Sequence, residues 1–71
     1  MTLEDLQHIF SQQIESAKEA NISDTKLYYI LVDGEFKMVD RHPMNKLEEL
    51  LPVLSSFQYV GSSNNMPRFI K

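Results

Sequence analysis

The chain has no cysteine among its 71 residues, which excludes a disulfide framework, a zinc ribbon and a thiol nucleophile. A reducing compartment is the simplest home for such a sequence. Met1 is followed by Thr2-Leu3-Glu4-Asp5, which is neither a basic leader nor the start of an apolar stretch, and no run approaches the length of a membrane span. These features point to a cytoplasmic protein, in which the sequon-like Asn21-Ile22-Ser23 is a chance tripeptide. Glycine is scarce, at two residues. The one glycine loop, Gly61-Ser62-Ser63-Asn64-Asn65, lacks the following Lys-Ser/Thr of a phosphate-binding loop. None of the serines sits in a nucleophile elbow.

The titratable residues offer little chemistry. Glu4 and His8 stand i, i+4, a half-site that a metal could use only with ligands from elsewhere, and a surface ion pair is the simpler reading. Asp40, Arg41 and His42 meet at a turn, where capping accounts for them without acid-base catalysis. No catalytic, cofactor-binding or metal-ligating residue is expected, and no enzyme.

What the chain does contain is an ordered set of local signals. Thr2 with Asp5 forms an acidic capping box. Leu3, Leu6, Ile9, Phe10, Ile14, Ala17 and Ala20 then recur on one helical face, up to a left-handed cap at Asn21. A short polar loop leads to two β-rich runs, Leu27 to Val32 and Glu35 to Asp40, separated by Asp33-Gly34. Asp-Gly in that setting predicts a type I′ hairpin with Leu31 opposite Phe36 and Tyr29 opposite Met38, giving an apolar side that must be covered. Asn45 with Glu48 repeats the capping logic. A second helix is expected to about Ser55, with Met44, Leu47, Leu50, Leu51, Leu54 and Phe57 as its stripe and Pro52 kinking or splitting it. Phe57 to Val60 reads as a third strand, Gly61 to Asn65 as a loop, and Arg68 to Ile70 as an edge strand behind Pro67.

The expected architecture is a single small α+β domain over residues 1 to 71, in the order α-β-β-α-β(-β). Its sheet is antiparallel, of three to four strands, with two helices on one face. A core this thin gains from dimerising or docking.

Charge supplies the functional reading. Residues 1 to 36 carry seven acids against two lysines, a balance of −5, and residues 37 to 71 carry three acids against five cations, a balance of +2. Without an active-site constellation, the chain reads as a protein-binding or regulatory module of the kind that phages and mobile elements encode as inhibitors. The candidate partner surfaces are the acidic helix face (Glu4, Asp5, Glu15, Glu19) and the open hairpin face (Tyr28, Ile30, Val39). The alternative is nucleic-acid binding through Tyr59, Arg68 and Lys71 at the basic end. A homodimer fits either reading.

Overall fold

A computed structural model describes residues 1 to 22 and 24 to 71. Its elements run α1 (Leu3–Ile9), α2 (Ser11–Glu19), β1 (Lys26–Asp33), β2 (Phe36–Pro43), a 3₁₀ segment (Met44–Glu49), α3 (Leu50–Leu54), β3 (Gln58–Ser63) and β4 (Met66–Ile70). Among the described residues, no helix is long and apolar enough to cross a membrane.

The helical signals translate closely into structure. The Asp5 amide donates to Thr2 Oγ1 at 3.2 Å and the Thr2 amide donates to Asp5 Oδ2 at 2.9 Å, closing the capping box. The Thr2 amide, with the Thr2 hydroxyl beside it, favours the ionised carboxylate and holds Asp5 below its ordinary pKa. At the far end Asn21 has φ +58°. Ile22 N–H donates to the Ala17 carbonyl and Asn21 N–H to the Lys18 carbonyl, which is the Schellman pair. Because glycine adopts that conformation without penalty, Asn21→Gly is expected to raise the thermal midpoint by about 1 to 4 °C. A lowered midpoint in a melt would contradict the cap.

The single expected helix is instead broken at Phe10 (φ −94°, ψ 12°). The second helix also differs. Residues Met44–Glu49 form a 3₁₀ segment with Lys46 off helical geometry and no side-chain cap, so the Asn45–Glu48 box does not form. Met44, Leu47 and Leu50 stand three apart, the spacing at which a 3₁₀ turn aligns side chains. Pro52 falls in the first turn of the five-residue α3, where an amide would have no intrahelical acceptor.

The sheet is mixed, in the order β2-β1-β4-β3, with β1 parallel to β4 and both hairpins antiparallel. This corrects the all-antiparallel expectation. The crossover from β2 to β3 spans the whole sheet, so the two hairpins meet through their inner strands and β4 becomes central. Pro67, expected at an edge, is buried there. It lies opposite Ser62, one step beyond the Ser63–Met66 pair that flanks the turn, so its nitrogen faces β1 rather than β3, where the Tyr28 carbonyl accepts from Gln13 instead.

The first hairpin pairs Asp33 with Phe36, leaving Gly34-Glu35 as the loop. Positive φ occurs at Gly34 (+63°) and not at Glu35, the pattern of a type II′ turn with glycine first. The register therefore differs by two residues from the expected one, and both faces keep their membership. The type I′ geometry belongs to the second hairpin. Ser63 pairs with Met66 around Asn64 (φ +52°) and Asn65 (φ +65°), so the expected 61–65 loop is mostly strand and turn.

All the helical elements cover one face. Leu6, Phe10, Leu27, Tyr29, Leu31, Leu47, Leu50, Leu54 and Phe69 make the core. Phe36 and Met38 share the face of Tyr29 and Leu31 but extend past the helices, leaving Phe36 82% exposed. Gln13 ties α2 to the sheet. Its amide nitrogen donates to the Tyr28 and Asn65 carbonyls and its oxygen accepts from the Tyr28 amide, each at 2.8 Å. It thus prolongs the β1–β4 ladder where β4 begins. Gln13→Ala is expected to cost about 1 to 2 kcal/mol, with accelerated hydrogen exchange at the Tyr28 amide. Unchanged exchange there would show that the bridge contributes nothing.

Candidate functional site: the open face of the sheet

Strand alternation decides what the uncovered face presents. The core takes the odd positions of β1 and β4. The even positions of those strands, with the odd positions of β2, face away from the helices. On that side stand Lys26, Tyr28, Ile30 and Val32 of β1, Lys37, Val39 and Arg41 of β2, and Met66, Arg68 and Ile70 of β4. Four of the seven cations are gathered here, and no carboxylate stands among the described strand positions of the face. The helical layer carries Glu4, Asp5, Glu15, Glu19, Glu48 and Glu49 against Lys18 and Lys46. The polarity seen along the sequence is therefore a polarity through the thickness of the domain, base beneath and acid above.

The hairpin-face candidates separate by burial. Tyr28 is 44% and Val39 56% exposed, whereas Ile30 is only 4% exposed. Ile30 was expected to be an open contact residue, and the structure corrects this. It sits on a central strand between its cross-strand partners Val39 and Arg68 and between Tyr28 and Val32 along β1, so its neighbours on the same face cover it. It forms the apolar floor of the surface.

The acidic candidates do not make one patch. Glu4 and Asp5, with His8, border a hollow against Tyr59. Glu15 borders a different cleft, of about 550 Å³, between the helices and the 3₁₀ segment. Asp5 is committed to the capping box, and Glu19 is exposed near the end of α2. The nucleic-acid trio is split as well. Tyr59 is on the helix-bearing side with its ring 5.6 Å from that of Phe69, and its hydroxyl lies 3.1 Å from Ser62 Oγ. Lys71 Nζ lies 5.9 Å from the centre of the Phe57 ring. Of the three, only Arg68 is on the open face, and Lys26, Lys37 and Arg41 join it there unannounced by any motif.

Tyr29, Asp40 and His42 make hydrogen bonds within the fold. Tyr29 hydroxyl donates to Asp40 Oδ2 at 3.4 Å, and burial, reinforced by the Asp40 charge, pushes the phenol up to about 12. His42 Nε2 lies 2.6 Å from the Lys46 carbonyl. Since a carbonyl only accepts, Nε2 carries the proton. Among the described residues, no three of His, Asp or Glu are grouped closely enough to hold a metal ion.

Between pH 10 and about 12 the folded state retains the Tyr29 proton while the unfolded chain releases it. Stability from this group is therefore complete below that window and is lost as pH rises through it. Tyr29→Phe is expected to flatten this part of the stability profile in urea unfolding at stepped pH. A profile identical to wild type would contradict the burial of the phenol.

No protein-family model, no curated protein and no solved structure matches the chain.

Proposed function

We propose that the chain is a non-catalytic binding module that uses the open face of its sheet to hold an acidic surface of a protein partner, in the manner of a small regulator or inhibitor. The supporting observation is the segregation of Lys26, Lys37, Arg41 and Arg68 around an aliphatic floor of Ile30 and Val32 with Tyr28 and Val39 exposed beside it. An apolar centre with tyrosine and arginine at its margin is the composition of a protein interface. The surrounding cations steer an acidic partner toward it.

Nucleic acid is the second reading, favoured by the same cations with one exposed aromatic, Tyr28. Single-strand platforms stack successive bases on several aromatic rings, and the open face has one ring among mostly aliphatic neighbours.

The test is recovery of a partner from the native host by the tagged chain. Three proteins are compared: wild type, Tyr28→Ala with Lys26→Glu and Arg68→Glu, and Glu4→Lys with Glu15→Lys and Glu19→Lys. The open-face variant is expected to lose binding by 100-fold or more, the helix variant to keep it, and nuclease treatment to change neither. Loss confined to the helix variant would move the site to the acidic layer. Loss on nuclease treatment, with a steep salt dependence, would select nucleic acid.

A further inference from the structure

The two edges of the sheet are protected very differently. β3 carries a bulge between Tyr59 and Ser62, with Gly61 at φ +107° inside it, and such a twist deters pairing with another chain. β2 pairs regularly with β1 over eight residues, with no bulge and no proline before Pro43. It is exposed on both sides, through Phe36 and Met38 above and Val39 below.

Only part of this edge is free. Across a two-residue loop the even positions of β2 bond inward to β1, so Lys37, Val39 and Arg41 turn their amides and carbonyls outward. The Arg41 amide already donates to Asp40 Oδ1 at 2.8 Å. The unpaired stretch is therefore centred on Met38.

We infer that β2 pairs antiparallel with β2 of a second copy about a two-fold axis at Met38, joining two sheets into one of eight strands. The inference is independent of the binding reading above. In this register Lys37 and Val39 exchange backbone hydrogen bonds with Val39 and Lys37 of the other copy. Met38 meets its counterpart, and Phe36, opposite Asp40 of the other copy, stands diagonally beside that Met38, which shields part of the most exposed large apolar side chain among the described residues. Glu35 faces Arg41 of the other copy, twice. The neighbouring registers oppose like charges: an axis at Lys37 sets lysine against lysine, at Val39 sets Lys37 against Arg41, and at Asp40 sets carboxylate against carboxylate. Pairing the open faces would likewise press four cations against four. The Met38 register escapes this and adds two opposite-charge pairs, while both helical layers stay on one side and both basic faces on the other.

Sedimentation velocity over a range of chain concentrations tests it. Wild type is expected to double in mass as concentration rises. Val39→Pro, which removes an outward amide at an edge position, is expected to stay monomeric with native circular dichroism. Glu35→Arg and Arg41→Glu are each expected to weaken the dimer by about tenfold, and the double exchange to restore it to within about threefold of wild type. A monomer at every concentration would overturn the second copy as occupant. A dimer indifferent to Val39→Pro would overturn the edge, and failure of the double exchange to restore would overturn the register.

Discussion

Phe69→Ala is expected to remove a large share of the chain's stability. Phe69 is fully buried on a central strand, with ring centres 6.4 Å from Phe10, 6.3 Å from Tyr29 and 5.6 Å from Tyr59. It is where the first helical pair, β1 and β3 come together. Truncating a buried phenylalanine costs about 3 to 5 kcal/mol, and a domain of this size has roughly 4 to 10 kcal/mol in total. Urea unfolding and the dispersion of the amide spectrum measure the loss. The same change at exposed Phe36, measured on monomeric protein, is expected to shift the midpoint hardly at all. A Phe69→Ala midpoint near wild type would mean that β4 is not a central strand.

Leu50→Ala is the second large effect, at about 2 to 5 kcal/mol. The crossover consists of a six-residue 3₁₀ segment and a five-residue helix, both far too short to persist alone in water. Side-chain burial must therefore hold it, and Leu50, fully buried between the two pieces, is its central anchor. Val53→Ala, on the exposed side of the same short helix, is expected to change stability by less than about 0.5 kcal/mol. Equal costs at the two positions would show that the crossover is held by backbone geometry rather than by its buried stripe.

The features that could be read in advance are those decided over a few residues. Thr2 with Asp5 and the left-handed Asn21 act within one turn of helix, and the Leu47-Leu50-Leu54 stripe keeps its meaning whether the backbone is 3₁₀ or α. The Gly34 turn was half legible, because a glycine there satisfies either the second position of a type I′ loop or the first of a type II′ loop. Local pattern does not separate the two. Asn64-Asn65 was legible and missed, since asparagine is the non-glycine residue that best tolerates positive φ. Strand order was not legible. Which strand lies beside β1 depends on the crossover and on burying Phe69 against Tyr29, both long-range facts.

That order decides the candidate surface. Alternation alone places Lys26, Lys37 and Arg41 on the side of Tyr28 and Val39. Arg68 joins them only because β4 lies beside β1. The same long-range placement covers Ile30, which local pattern leaves open.

Mapping amide chemical shifts during titration with the recovered partner tests the open-face interface most directly. Perturbations are expected at Tyr28, Val32, Val39 and Arg68, with the amides of α1 and α2 unmoved. Perturbations confined to the helical layer, around Glu4, Glu15 and Glu19, would contradict it.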